Sequence, residues 1–577
     1  MKKASMRQKM HSITKICIIS LLMSLPAFSS EPNQLPAEET ALKNDVDHWG
    51  LAFSDQLDVF KENFQIFAKK TGIKSPDYVV GIENPLRKTF KNKYWFKGQV
   101  TNEVTLSAGR NETEAFQLAI IPQTGCSLTD IKIVASDLKT ADGKNVISAD
   151  RITLYRVGFI ETAKPQYPTR HIGEWPDPLF QLTPFLLTGV DLGLIWCEVK
   201  VPLAASGGDY DGTITVSPAN LNSVEIKVKL HVWKFALPDR VPFSTMVWIN
   251  GNMDSKEYLD ICRLFLEHHI DPISVGKTMD LNLLDKNLEF CLSYGLTRFE
   301  APGFATQEEL LSYYEHLKKK GWLDKAIIYS GFDEPTAKVL QENIIPHTAL
   351  IHKQFPGLKV FQASQYYENL DKGTDIWMAD VSTNFQSWLA AGRPGKQQLW
   401  WYFCHLPIHV NLEQPLVDAP NMLIDNDAVE HRLAYWMANC YGAQGIFIYA
   451  GNMEWDKISS KGNQECAKLS DAKLGFPYAG THNGNGFLIY PGPRPSLRLK
   501  VLRDGIEDYW YLAQLKELTL KKRYASEARA LLDGISPKIF VDTHYFNRDP
   551  NVILVYREKI GELLEKAAVD QKATAKK

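Results

Sequence analysis

Cysteine is scarce in this chain. There are eight in 577 residues and no CxxC pair among them. Cys17 lies in the N-terminal apolar run. The other seven, Cys126, Cys197, Cys262, Cys291, Cys404, Cys440 and Cys466, are scattered and odd in number. That pattern excludes a disulfide framework as the organiser of the fold, and a zinc ribbon or finger with it. Most of these thiols read as small buried apolar residues, though one pair can still bridge in an oxidising compartment. An excess of one charge sign is also missing: 65 Lys and Arg face 67 Asp and Glu, a net charge of -2. Such balance offers no electrostatic footprint for nucleic acid or an anionic membrane surface. No Gly-rich phosphate loop follows a strand, and no stretch beyond residue 30 is long and apolar enough to cross a bilayer.

The one notable apolar run, "ICIISLLMSLPAF", is too short to span and follows Lys2, Lys3, Arg7, Lys9 and Lys15. A positive segment, a short apolar core and the small residues of Ala27-Phe28-Ser29 read as a signal peptide over 1–29, cut before Ser30. The rival is an uncleaved anchor. Cys17 stands at the start of the run rather than its end, which argues against a lipoprotein box. The expectation is an exported protein, periplasmic or extracellular, with no integral membrane segment in the mature chain.

What the chain has in quantity is aromatic and apolar surface: 14 Trp, 23 Tyr and 45% hydrophobic residues. Residues 30–77 read as a polar leader and a short helical segment around "DQLDVFKENFQIFAKK". From 78 to 240 the period is two. In "SVEIKVKLHVW", Val224, Ile226, Val228, Leu230 and Val232 alternate with Glu225, Lys227, Lys229 and His231, as in a half-buried strand. With "EAFQLAII", "DIKIVASDL", "RITLYRVGFI", "LIWCEVKVP" and "YDGTITVSP" this predicts an antiparallel β-sandwich. "PQYPTRHIGEWPDPLFQLTP" reads as a long structured loop, too Pro-rich for a central strand.

After "LPDRVP" apolar strands alternate with amphipathic helices. In "SKEYLDICRLFLEHH", Tyr258, Ile261, Cys262, Phe265 and Leu266 mark one buried helical face. The strand candidates "FSTMVWI", "PISV", "TRFEAPG", "AIIYSGF", "LKVFQAS", "DIWMADV", "QLWWYFC" and "QGIFIYAG" number eight. Eight βα units over 241–515 predict a (β/α)8, TIM-like barrel, whose active site lies where the strands end. An open doubly wound sheet is the alternative. Residues 516–577 read as a C-terminal helical segment with a Lys-rich tail.

"AIIYSGFDEPTAKVL" places Asp333 and Glu334 just past the end of the fourth strand. One reading is local: Pro335 in the first turn of a helix with an acid as its cap. The other is catalytic, since repulsion between neighbouring acids in a partly enclosed site raises the pKa of one and fits it to donate a proton. Two carboxyls on opposite sides of a glycosidic bond usually come from different strands. Adjacent carboxyls suit a substrate-assisted hydrolysis instead. There the sugar's 2-acetamido oxygen is the nucleophile, one acid orients the acetamido N–H, and the next is the acid/base.

Together with "GRNETEAFQLAI", "GEWPDPL", "GDYDGTITV", "WWYFC", "EHRLAYWMANCYGAQGIFIY" and "YPGPRPSLRLKVLRDGIEDYWYL", the "SGFDEP" motif resembles glycoside hydrolase family 123 over roughly Tyr78 to Leu512. The resemblance implies a β-sandwich before a catalytic barrel. It also implies retaining hydrolysis of β-linked N-acetylgalactosamine through an oxazolinium intermediate, Asp333 positioning the acetamido group and Glu334 acting as acid/base. No metal or organic cofactor is implied, and the partner is a glycan or glycoconjugate. A non-catalytic glycan-binding or scaffold protein on the same fold, or a glycosidase for another sugar, are the alternatives.

Around the barrel rim the candidates are Gln362 after strand five, Asp380 and Asn384 after strand six, Trp401, Tyr402 and His405 near strand seven, and Tyr449, Asn452 and Trp455 near strand eight. Tyr402 is the preferred partner of the acetamido carbonyl, and Trp401 and Trp455 the preferred stacking platforms. Core or loop packing competes for every one. Trp400 and Trp401 must face opposite ways, so only one can line the site from the strand. His405 and His409 sit four apart, but Pro407 intervenes and no acid-and-His set completes a zinc site. The acids of "RDGIEDYWYL" suit salt bridges and capping, and Arg432 and Arg494 can meet an anionic sugar or a structural carboxylate.

Overall fold

The computed structural model describes residues 50–575 apart from 166, 304, 394, 406–418, 454, 456–473 and 476–481, together with residues 39, 42, 46 and 47. The signal peptide expected over 1–29, most of the leader, His409 and Cys466 lie outside the described residues. The short helical segment runs Phe53–Thr71, seating Phe53, Leu57, Phe60, Phe64 and Phe67 in the core and ending at Gly72, whose φ of 80° provides the left-handed stop.

Two β-sheets follow. In the first, Tyr78–Glu83, Thr113–Pro122, Gly193–Lys200 and Ile152–Glu161 pair antiparallel in that order. In the second, Leu128–Ala135, Gly208–Ser217 and Val224–Ala236 do the same. The strand Val224–Ala236 alternates buried and exposed from Val224 to Leu230 as its sequence dictates. Two details differ from expectation. Val224–Ala236 pairs in parallel with Glu103–Arg110. The Pro-rich segment is not wholly a loop, because Glu174–Gln181 is a strand. Among the described residues its one ladder is with Ile152–Glu161, and its other side carries an isolated bridge from Pro178 to Ser496, so Pro176 and Pro178 lie where a missing N–H is tolerated.

Eight parallel strands then run round a nearly closed barrel: Ser244–Val247, Ile270–Pro272, Phe299–Ala301, Ala326–Tyr329, Lys359–Ala363, Ile376–Ala379, Gln398–Phe403 and Gly445–Ile448. The eighth pairs back onto the first, and the seam lies between the second and third. Only the second was misplaced from sequence. Its strand ends at Pro272, and Ile273–Gly276 is a 3-10 turn. The barrel interior is a separate apolar cluster that includes Met246, Ile327, Phe361, Ile376, Met378, Trp400, Tyr402 and Phe447. Trp400 fills it by lying against Gly445, where any β-carbon would collide with the indole ring. Helices Leu497–Leu518 and Pro550–Ala575 complete the chain. Among the described residues no helix is long and apolar enough to cross a membrane.

Candidate active site

Strand four, Ala326–Tyr329, ends at the open end of the barrel, and the chain turns through Gly331 at φ 88° before reaching the acids. The helix beyond is capped by Thr336, whose hydroxyl accepts from Val339 N. Neither acid is the cap, which removes the local explanation for the pair. Instead each carboxylate meets a tyrosine rising from the barrel interior. Tyr329 Oη lies 3.1 Å from Asp333 Oδ1 and 2.9 Å from Phe332 O, and Tyr402 Oη donates to Glu334 Oε1 at 2.6 Å. Burial, then the bonded carboxylate, pushes the Tyr402 phenol well above its ordinary value. The same two causes act on Tyr329. Both tyrosines therefore stay protonated donors at any physiological pH. Both carboxylates are exposed among the described residues, which differs from the partly enclosed pair expected.

Successive side chains of an extended strand point opposite ways, so two neighbours meeting the same barrel mouth need a break. Glu334 provides it with φ 40°, a left-handed value rarely adopted by residues other than glycine. The preceding turn is held by Gln362. This side chain is fully buried on strand five; its Nε2 donates to Phe332 O at 2.8 Å, and its Oε1 accepts from Ser330 Oγ. Gln362 thus supports the loop from below.

Alternation sorts strand seven. Tyr402 faces the interior with Trp400, while Trp401 is fully buried on the other side, against Phe385 and Tyr441 at ring distances of 5.1 and 6.1 Å. Trp401 is therefore a wedge between barrel and helices, away from the mouth. Asp380 is buried, accepts from Ser382 N at 2.9 Å, and lies close enough to Tyr402 to add to its raised pKa. Tyr449 stands half-buried at the mouth, edge-on to Trp248 at 6.2 Å. Asn452 is buried, with its amide closed on the backbone N and O of Asn250 at 2.7 and 2.8 Å. Trp455 donates its indole N–H to Ile489 O at 2.7 Å. His405 is exposed, its ring 5.1 Å from that of His482, which stacks on Tyr167. Asn384 lies in the helix Thr383–Ala390, and its side chain is outside the described residues.

The structure therefore gathers Asp333, Glu334, Tyr402 and Tyr449 at the mouth, with Gln362 and Asp380 beneath. Trp401 and Asn452 are committed to packing and backbone bonds. Sequence reasoning missed Tyr329, Trp248, Lys277 and Glu300. The signal for Glu300 was available: a carboxylate in the middle of the short strand "RFEA". Grooves of about 370 and 350 Å³ also exist, but neither is lined by residues from the ends of the barrel strands. Among the described residues no cluster of three or more His, Cys, Asp or Glu could hold a metal ion.

The arrangement is that of a carbohydrate-active hydrolase, with paired acids and aromatic surface at the carboxyl ends of parallel barrel strands. Two family models match in tandem: glycoside hydrolase 123 N-terminal domain over residues 88–218, and glycoside hydrolase 123, catalytic domain, over residues 305–515, which contains the acidic pair. Among solved structures the chain is similar to a family 123 glycoside hydrolase from Clostridium perfringens, studied for glycolipid glycan hydrolysis. The TM-score is 0.63 with 14% identity, covering 86% of this chain and 100% of that one. A family 39 glycoside hydrolase from Bacteroides cellulosilyticus WH2 is far more remote, with TM-score 0.29, 10% identity, and 70% and 81% of the two chains covered. No curated protein matches the sequence. The chain belongs to glycoside hydrolase family 123, and it is a glycoside hydrolase acting on a glycan.

Proposed function

We propose that this enzyme is an exported exo-glycosidase that removes terminal β-linked N-acetylgalactosamine with retention, by substrate-assisted catalysis. The observation that carries this reading is the side-by-side placement of Asp333 and Glu334 at the end of strand four, each bonded to its own tyrosine. Asp333 accepts the acetamido N–H and turns the carbonyl oxygen toward the anomeric carbon. Glu334 donates a proton to the leaving oxygen as the C1–O bond breaks and the oxazolinium ring closes. It then takes a proton from the water that reopens the ring. Tyr402, whose phenol remains protonated, orients Glu334 and offers a donor to the acetamido oxygen when it swings away. Trp455 and Asn384 are retained as rim candidates, and His405 as an outer one. We read the parallel strands as a (β/α)8 barrel over 241–515 and the two antiparallel sheets over 78–240 as a supporting sandwich. Export rests on the charged and apolar pattern of residues 1–29.

The test is nitrophenol release from β-linked N-acetylgalactosaminide, beside its gluco isomer and a sugar without the acetamido group. Turnover confined to the galacto 2-acetamido substrate is expected. Equal turnover of the sugar lacking the acetamido group would sink the substrate-assisted reading.

A further inference from the structure

A further carboxylate lies on the inner wall at the same end of the barrel. On strand three Phe299 and Ala301 join the outer core, and Glu300 between them turns inward. It is only 2% exposed, yet each oxygen has a donor: Lys277 Nζ at 2.9 Å on Oε1 and Trp248 Nε1 at 2.7 Å on Oε2. Trp248 follows strand one and Lys277 follows strand two, so three consecutive strands converge on this acid. The Trp248 ring stands edge-on to Phe447 at 4.8 Å and to Tyr329 at 6.2 Å, and Tyr329 is the phenol beside Asp333. Trp248, Tyr329, Tyr449 and Lys277 are all partly exposed, so aromatic surface and an ammonium open together beside the acidic pair.

Packing does not require this. Apolar residues of similar volume often replace a buried ion pair at no loss of stability. What the acid adds is direction, because a charged acceptor makes a hydrogen bond roughly twice as strong as a neutral one. It fixes the indole plane and holds one ammonium N–H. Among the described residues Glu300 is the hydrogen-bond partner of Lys277, which leaves two N–H groups for a ligand, and the ammonium also stands over the Trp248 ring, 5.7 Å from its centroid.

We propose that Lys277 binds a hydroxyl oxygen of the bound sugar, that Trp248 carries the sugar's C–H face, and that Glu300 is the positioning residue that aims both. The identity of the sugar rests on the N-acetylgalactosaminidase reading above; the binding role does not.

Steady-state kinetics of Lys277→Met and Glu300→Gln on the nitrophenyl substrate test this, with thermal midpoints measured alongside. An interaction made equally in ground and transition states appears in KM alone. Lys277→Met should therefore raise KM about 10- to 100-fold, the worth of a hydrogen bond to a charged donor, at nearly constant kcat. Glu300→Gln should raise it less, since the carboxamide still accepts from the indole. Of a set of monodeoxy substrates, one should be impaired in the wild type but no further impaired in Lys277→Met. A lowered thermal midpoint with unchanged KM would reduce the trio to a structural role and overturn the proposal, leaving the proposed function intact. If the wild type turns over no N-acetylhexosaminide, the earlier reading fails. Calorimetry with free N-acetylgalactosamine, N-acetylglucosamine, galactose and glucose then decides. Weaker binding of any one to Lys277→Met supports the proposal, and identical titrations of the two proteins overturn it.

Discussion

Asp333 and Glu334 are neighbours in the chain, but the tyrosines that meet them come from strands four and seven. That divergence suits the different tasks proposed for the adjacent acids, and those tasks can be separated by leaving group. A nitrophenol leaves with little help from a general acid, whereas a sugar hydroxyl needs its proton. Glu334→Gln should therefore lower kcat/KM by about 10²- to 10⁴-fold on a disaccharide and much less on the nitrophenyl glycoside. Asp333→Asn, which on the proposed mechanism disturbs acetamido placement, should lower both alike. Parallel kinetics on the two substrates check this, and equal losses for both variants would merge the roles. Tyr402→Phe removes one hydrogen bond to Glu334 and should reduce kcat/KM about 10-fold or more.

At the scale of the element, the turn after strand four is held from strand five. Gln362 spends its whole amide on Ser330, Phe332 and Ala363. Gln362→Ala takes the amide from Ser330 Oγ and Ala363 O and leaves Phe332 O to Tyr329 Oη alone. A stability loss of about 1–3 kcal/mol is expected, and a kcat loss of at least tenfold as the acids drift. Urea unfolding and kinetics report the two effects separately; unchanged kcat would mean that the turn holds itself. Seven of the eight barrel strands were legible as apolar runs ending in turn residues. Strand two was not, because "DPISV" has the β-branched residues of a strand but only Ile270–Pro272 pair. Phase was harder to see than existence. Trp400 and Trp401 are equally apolar, and only the strand's register on Gly445 and Ile446 decides which enters the barrel. The strand Glu174–Gln181 was hidden by its prolines, and Glu300 by lying between the apolar Phe299 and Ala301 of a three-residue strand.

Across the whole molecule, buried charge joins the antiparallel sheets to the barrel. Glu198 on its strand takes Lys500 at 2.8 Å and Arg503 at 2.7 Å from the helix Leu497–Leu518. Arg557 of the last helix meets Glu112, Glu114 and Asp508, and Arg432 closes on Asp508 at 2.5 and 2.8 Å. Arg432 is thus a structural cation, and Arg494 rides over the Phe180 ring at 4.4 Å. Cutting the chain at Pro238 would strip Lys500 and Arg503 of Glu198, and Arg557 of Glu112, and each broken buried pair costs about 3–5 kcal/mol. The fragment from 239 onward should be insoluble or inactive on expression; a soluble, fully active one would show that the sheets are dispensable.

The same network predicts a pH dependence. Four cations, Arg432, Lys500, Arg503 and Arg557, share this interior with six carboxyls, Glu112, Glu114, Glu198, Asp504, Glu507 and Asp508. The excess is relieved if two carboxyls keep protons. Burial drives Glu507 well above the ordinary range. Burial, with Glu112 adding to it against the pull of Arg557, raises Glu114 from 4.5 to about 8. Because its folded value is raised, the stability that Glu114 contributes is fully present below pH 4.5 and is lost as pH rises through about 8. Within that window its share falls by about 1.4 kcal/mol per pH unit. Glu114→Gln fixes a neutral side chain of the same length and removes that slope. Urea unfolding at pH 5.5, 6.5 and 7.5 should thus find the variant gaining on the wild type by about that amount per unit. A difference that does not change with pH would place the retained proton elsewhere in the network.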